Sequence, residues 1–461
     1  MKLCIADIVS ATKGNLICGD LNGAITKVST DTRAIEPGSF FVAMKGETFD
    51  AHQFLEQAKD KGAVGCLVEQ DVDASIQTDA FAVIRVENTR IGLAQIAGAY
   101  RRMFEGRVCA ITGSVGKTST KDMIAAVLSK SFSVQKTQGN FNNEIGMPLT
   151  VLGLQEYHTA LVTEMGMRGF GEIDFLANIA KPDVGVITNI GVSHIERLGS
   201  QENICKAKME MIPHIKQGGT LVVNGDDPWL NEIQPPEHVT IMRFGIENED
   251  ADVRAKNIEI SEDGQSTTFE LYVKNMPLEI YMAKVPVPGV HHVYNALCAV
   301  CVGLQFQMSI SDMIDGIGDF SPSGMRQQIT ISPSGVRVIN DAYNASPDSM
   351  KASIHMLANM PCSGKKIAVL GDMFELGENS SAYHMQVGTY LKNTDISHVV
   401  TVGDLARYIG MAVEEKQVIH FDTKEDASAY ISSLAKEEDC VLIKASRGMK
   451  LEEIAAVLQE R

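Results

Sequence analysis

Short, nearly unbroken apolar runs alternate with amphipathic stretches along most of the chain, and glycine, aspartate or proline marks the joints. Between residues 105 and 318, the runs VGVITNIG (184–191), TLVVNGDDP (220–228) and VTIMRFG (239–245) each end in a turn. A strand buried on both faces reads this way, whereas a strand with one wet face alternates, so the pattern predicts a mostly parallel sheet covered by helices. The polar, alternating stretch 251–285 predicts an inserted antiparallel meander, and VYNALCAVCVGLQF (293–306), after the Pro288-Gly289 turn, reads as a helix.

Residues 1–84 carry short strands and helices: FFVAM (40–44) follows a Pro37-Gly38 turn, and the helical HQFLEQAKDKG (52–62) precedes the strand VGCLVE (64–69). Residues 88–104 place Ile91, Ala94, Ile96, Ala97 and Tyr100 mostly on one face, which predicts a helical connector into the next domain. The turn formers of SPSGMRQ (321–327) set a second boundary. Beyond it KIAVLGD (366–372), HVVTVGD (398–404), VIHFD (418–422) and CVLIKAS (440–446) are each followed by a helical pattern, predicting a doubly wound α/β domain. The expected divisions are 1–84, 85–318 and 319–461.

Length supports this segmentation, because 461 residues exceed what one core can organise. Hydrophobic content of 44% and charged content of 21% are those of a soluble globular chain, and no apolar run approaches the roughly 20 residues of a membrane span, so no membrane insertion is expected. The start MKLCIADIVS puts Asp7 where a secretory signal needs apolar residues, and nine scattered cysteines fit reduced thiols; both predict a cytoplasmic protein. Cys298-x-x-Cys301 lies in an apolar helix with no second pair to complete a metal tetrahedron, so it reads as core. A net charge of −17 disfavours nucleic acid as a partner, and any anionic ligand must be held by local features.

One such feature is GSVGKTS (113–119), between the strand-like run 108–112 and an amphipathic helix at 118–130. Gly113 and Gly116 let the backbone curl, so that amides from Gly113 through Ser114, Val115 and Ser119 can face phosphate oxygens at a helix N-terminus. Lys117 can reach the β/γ-phosphates and Thr118 can ligate Mg²⁺. Ile111 stands at the first glycine of the usual GxxxxGK[ST] string, so the loop is a variant. The fold class is therefore α/β in three domains: a small mixed α/β N-terminal domain, a central P-loop ATPase-like domain with a mostly parallel sheet, and a Rossmann-like doubly wound C-terminal domain.

Glu164 follows the run TALVT at a strand end, where a Mg²⁺ ligand belongs, although an ordinary strand-end acid reads the same. His194, in NIGVSHIERLGS, also follows a buried strand, and Lys208, fourteen residues later on a helix, reads as a phosphate contact or a solvated side chain. Asn295 and Arg326 are weak signals individually. NDAYNASPDSM (340–350) places Asp341 after a strand, at a corner suited to ribose or another polar group, though turn formation explains most of its composition.

Taken in order, these strings resemble the Mur ligase family, the ATP-dependent amide ligases of peptidoglycan precursor synthesis. The resemblance spans the chain through STDTR (29–33), PGSFFVAMKGETFDAH (37–52), TGSVGKTSTKDM (112–123), TQGNFNNEIGMPLT (137–150), EMGMRGFGEI (164–173), NIGVSHIERLGS (189–200), KAKMEM (206–211), PVPGVHHVYNAL (286–297), NDAYNASPDSM and LGDMFELG (370–377). It implies that Gly113 to Ser119 hold the phosphates of ATP, that Thr118, Glu164 and His194 bind metal, with two Mg²⁺ expected, and that Asn295 contacts adenine. Arg326 and Asp341 would complete the nucleotide site. Lys208 aligns with a lysine that becomes carbamylated, which turns a cation that repels Mg²⁺ into an anionic ligand. Lys117, His194, Lys208 and Arg326 would be the catalytic residues.

Ser29, Thr30, Asp31, Lys45 and Asp50 lie in strings matching the UDP-sugar side of the first domain. The variant loop at Ile111 is shared with this family. Members that add a third-position diamino acid carry a D-N-P-R string, which this sequence lacks, so the resemblance implies addition of D-alanyl-D-alanine to a UDP-N-acetylmuramoyl-tripeptide; a monomer is expected. Lys117 lies in the second domain and Arg326 and Asp341 in the third, so closure hinged near 319–325 is expected. A folylpolyglutamate synthetase-like ligase is the nearest rival, but such enzymes begin their phosphate loop close to the N-terminus, and here more than 100 residues precede Gly113.

Overall fold

The computed structural model describes all residues except 2, 235, 277–279 and 414–415. Three principal sheets follow one another along the chain. The first has five strands in the order Asn15–Cys18, Ala82–Arg85, Gly65–Val68, Ser39–Val42 and Lys27–Ser29, parallel apart from the first pair. Its strand Ala82–Arg85 runs one residue past the expected boundary at 84. The helix Thr89–Arg102 leaves this sheet and fastens onto the second domain: Tyr100 Oη donates to the Leu154 carbonyl at 2.8 Å, and buried Arg101 donates from Nε to the Ala180 carbonyl at 2.8 Å. One hydrophobic core runs through this helix, joining Leu93, Ile96 and Ala97 to Val151 and Leu176.

The middle sheet has nine strands, with Arg107–Thr112 between Val184–Ile187 and Ala160–Glu164. Six strands are parallel to Arg107–Thr112 or to its neighbours in turn, ending with Val253–Ile260. The stretch expected as an inserted antiparallel meander pairs in that way and continues this sheet at its edge: Val253–Ile260, Thr267–Val273 and Tyr281–Val285 pair antiparallel to one another. Its alternation reflects one covered face, where Val253, Ala255, Phe269 and Leu271 meet the helix Val290–Gln305 in a common core. Cys298 and Cys301 are buried in that core, and burial pushes both thiols well up.

The third sheet runs Gln328–Ile331, Arg337–Asn340, Cys440–Lys444, Lys366–Gly371, His398–Val402, Gln417–Phe421, with only the first strand antiparallel. Separate cores line its two faces, one under the helices Pro347–Asn359 and Ser380–Lys392, the other under Lys424–Leu434 and Glu452–Gln459. This is a doubly wound arrangement, and such sheets bind ligands beyond the carboxyl ends of their strands. Among the described residues no helix is long and apolar enough to cross a membrane.

Candidate active site

A cleft of about 800 Å³ lies between the carboxyl ends of the second and third sheets and takes lining residues from both. On the middle-domain side, the chain leaves Arg107–Thr112 through Gly113 at φ +153°, where an added Cβ would lie 1.9 Å from Thr188 Oγ1, so only glycine fits. The loop is locked from the neighbouring strand: the Ser114 amide donates to the Asn189 carbonyl at 3.1 Å and the Val115 amide to Asn189 Oδ1 at 2.8 Å. Those two amides are therefore engaged within the protein, contrary to the expectation that all of Gly113–Ser119 face phosphate. The donors left for a ligand are the amides of Gly113 and Gly116 and the first-turn amides of the helix Lys117–Leu128, which no intrahelical carbonyl can reach. Ser114 Oγ is buried at the cleft without a partner, and Lys117 Nζ curls over the loop to the Gly113 carbonyl at 2.8 Å.

Glu164 ends the adjacent strand in register with Ile111, which puts its carboxylate beside the first helical turn. Thr118 Oγ1 donates to Glu164 Oε2 at 2.8 Å, and Asn142 Nδ2 donates to Oε1 at 2.7 Å. No group of three or more His, Cys, Asp or Glu side chains that could hold a metal exists among the described residues. A hydroxyl paired with one carboxylate still suits Mg²⁺, which favours one or two carboxylates completed by substrate phosphates and water.

His194 stands at φ +65° at the head of the short turn Ile195–Leu198, an uncommon conformation that aims its ring across the domain joint. Nδ1 lies 2.5 Å from Glu375 Oε2 of the third domain, a close contact without hydrogen-bond geometry. Burial lowers the imidazole's pKa; Glu375 opposes that, and Lys117 and Lys208 add to it. Lys208, on the helix Gln201–Met209, is buried, and its ammonium makes no hydrogen bond or ion pair among the described residues. Burial first, and the charge of Lys117 second, depress its pKa well below the usual lysine value.

From the third domain, Arg326 stacks its guanidinium 3.9 Å from the Tyr343 ring centre. It sits close enough to Lys117 to lower that lysine's pKa, after burial as the main cause and against the opposing pull of Glu164. Asp341 follows the strand Arg337–Asn340; its Oδ2 accepts from Lys444 Nζ at 2.7 Å and from Ser353 Oγ at 2.6 Å, all buried.

The comparisons with known proteins agree along the whole length. The family model of the Mur ligase family catalytic domain matches residues 24–101, that of the Mur ligase middle domain 111–303, and that of the Mur ligase glutamate ligase domain 325–447. The chain is 39% identical to UDP-N-acetylmuramoyl-tripeptide–D-alanyl-D-alanine ligase of Bacillus subtilis, over 100% of this chain and 99% of that one. The chain belongs to the Mur ligase family. Among solved structures, MurF from Acinetobacter baumannii superposes with a TM-score of 0.91 at 32% identity, covering 100% of this chain and 99% of that one. MurF ligase from Thermotoga maritima, in complex with ADP, gives 0.83 at 30% identity, covering 94% and 97%.

For a Mur ligase, the cleft gathers most of the residues singled out from sequence, namely Ser114 to Ser119, Glu164, His194, Asn295, Arg326 and Asp341. Asn295 sits on the helix Val290–Gln305 and its Oδ1 accepts from Thr120 Oγ1 at 2.9 Å. Ser29, Thr30, Asp31, Lys45 and Asp50 lie outside the cleft, around the ends of the first-domain strands Lys27–Ser29 and Ser39–Val42. Three of them have local partners: Ser29 Oγ donates to the Asp31 carbonyl and accepts from the Asp31 amide, Asp31 pairs with Arg33 and caps the turn Thr32–Ala34, which together hold its pKa at about 2, and Asp50 caps Ala51–Phe54 and meets the His52 ring. Sequence reasoning missed Asn189, Asn142, Glu375, Gln327 and Lys444. Lys444 carried a signal: a lysine inside the apolar run CVLIKAS must be buried and therefore needs an anion.

Proposed function

We propose that this Mur ligase joins D-alanyl-D-alanine to a UDP-N-acetylmuramoyl-tripeptide, converting ATP to ADP and phosphate. The observation that carries the reading is the convergence of Lys117 and Arg326 from two domains on a glycine-bent loop and an open helix N-terminus, beside the Thr118–Glu164 pair. Cations and amides so arranged suit a polyphosphate.

The tripeptide carboxylate attacks the γ-phosphorus and ADP leaves; the dipeptide amine then attacks the acyl phosphate carbonyl, expelling phosphate and releasing a proton. Lys117, Arg326 and the amides of Lys117–Ser119 take up the charge that spreads over the transferring phosphoryl group. Thr118 and Glu164 would hold Mg²⁺, with His194 and a carbamylated Lys208 completing a second site. Magnesium, when bound, screens the approach of one anion to another. Lys208 suits carbamylation because it is buried without an anionic partner: as a neutral amine it adds CO₂ and loses one proton. Asn295 and Asp341 would place the nucleoside, and Ser29, Thr30, Asp31, Lys45 and Asp50 the UDP-sugar. Positioning three substrates in line can supply on the order of 7–11 kcal/mol. We place the reaction in the cytoplasm, carried out by a monomer.

The test is phosphate release with UDP-tripeptide and ATP, with and without D-alanyl-D-alanine, and a mass measurement of the product. Release that depends on the dipeptide, with a pentapeptide product, is expected. Phosphate release indifferent to the dipeptide refutes the reading.

A further inference from the structure

The joint between the second and third domains holds a polar cluster that the reaction scheme above does not use. His291 and His292 open the helix Val290–Gln305, and both rings point at one atom: Gln327 Oε1 lies 2.7 Å from His291 Nε2 and 2.6 Å from His292 Nε2. The two rings are 4.2 Å apart between centres, and Phe320 packs on His292 at 5.6 Å. Gly289, at φ +119°, makes room for the arrangement, since a Cβ there would stand 2.5 Å from the His291 ring. Gln327 is the residue after Arg326 and stands at φ +50°, a left-handed conformation that glutamine seldom adopts without outside support.

Hydrogen-bond accounting fixes the roles. His292 Nδ1 is buried with no partner. An orphaned buried N–H is rarer than an orphaned acceptor, so the proton belongs on Nε2 and Nδ1 is bare. Gln327 Oε1 then accepts from both rings and uses both of its lone pairs. Its Nε2 is thereby turned away from the histidines, has no protein partner among the described residues, and belongs to a side chain that lines the cleft.

We propose that Gln327 is a nucleotide-binding residue, its amide N–H₂ presented to an acceptor on the nucleotide by His291 and His292, which act as positioning residues. The same grip fixes the backbone on which Arg326 is carried, one residue away. The inference deepens the ligase reading and rests on it.

The experiment measures ADP affinity by calorimetry, together with KM for ATP and for the UDP-tripeptide, in Gln327→Ala, Gln327→Glu, His292→Leu and His292→Asn. Gln327→Glu keeps an acceptor for both histidines but removes the donor, so it remains informative where the alanine variant fails to fold. Both Gln327 variants are expected to weaken ADP binding and raise KM for ATP by about tenfold, the effect of one lost hydrogen bond to a charged or strongly polar group, with KM for the UDP-substrate within about twofold. His292→Leu should weaken ADP binding as well, and His292→Asn, which retains a donor, should recover part of it. ADP affinity unchanged in the folded Gln327 variants overturns the proposal, and a His292→Leu protein that melts earlier but binds ADP normally overturns the positioning role. Wild-type protein that binds no nucleotide brings down the ligase reading together with this one.

Discussion

Removing Lys444 tests the buried charge pair that anchors the third-domain half of the cleft. Its ammonium lies 2.7 Å from Asp341 Oδ2, with side chains only 3% and 10% exposed. At an effective dielectric near 20, that separation gives a gross attraction of about 6 kcal/mol. Several kcal/mol of desolvation per ion offset it, so the intact pair is close to neutral for stability. Lys444→Met removes the attraction and leaves the desolvation cost of Asp341, whose remaining side-chain partner is the Ser353 hydroxyl. The Asn344 carbonyl loses its donor too. The expected destabilisation is about 3–5 kcal/mol, the range for breaking one side of a buried pair. Because three domains need not unfold together, the assay is calorimetry resolving the third-domain transition, which should fall by roughly 8–16 °C. Lys444→Met combined with Asp341→Asn should recover more than half of the loss, a coupling that a double-mutant cycle reads directly. A shift below about 1 kcal/mol in the single variant would show that Asp341 is not held as an unscreened buried charge, and the argument for its placement would fail.

Lys117→Ala should lower kcat/KM by about a hundredfold or more with the melting temperature unchanged, since the side chain bonds only two carbonyls of its own loop; near wild-type turnover refutes the phosphate-loop assignment. Lys208→Ala should be inactive and regain part of its rate with formate or acetate, which can occupy the carbamate's place; an unaffected rate in the plain variant makes Lys208 a bystander. His384 is fully buried, with Nδ1–H donating to the Ser380 carbonyl at 2.7 Å and Nε2 accepting the Met373 amide at 3.0 Å, so neither nitrogen can take a proton without breaking a bond. Burial holds its pKa below the ordinary 6.5, and the unfolded chain therefore binds the proton first. Stability from this group is complete above about pH 6.5 and declines below it, by up to about 1.4 kcal/mol per pH unit. Urea unfolding from pH 7.5 to 5 should show a smaller decline in His384→Gln than in wild type; equal slopes would remove His384 from the account.

Much of the architecture was legible because burial on both faces writes a continuous apolar run, and that signature marks the parallel strands of the second and third sheets whatever their neighbours are. The edge strands were harder. Alternation announced that 251–285 pairs antiparallel, but the same alternation suits a free-standing meander and the rim of a larger sheet, and only the pairing of Val253–Ile260 with Val239–Gly245 decides between them. The phosphate loop was visible because its function needs residues consecutive in sequence. Asn189 was not, since its role is to hold Val115, 74 positions away, from the neighbouring strand.

Lys444 shows where a sequence stops short. A lysine inside CVLIKAS announces burial, a buried ammonium demands an anion, and Asp341 was already suspected at a strand end. Each half of the pair could be inferred alone. What joined them is that Arg337–Asn340 and Cys440–Lys444, 103 residues apart at the bond, lie side by side with Asn340 opposite Ile443, so the next residue of each strand emerges at the same edge of the cleft. Hydrophobic pattern specifies which face of a strand is covered, not which strand lies beside it. A site assembled at the carboxyl ends of neighbouring strands is therefore readable residue by residue, while its pairings wait on strand order.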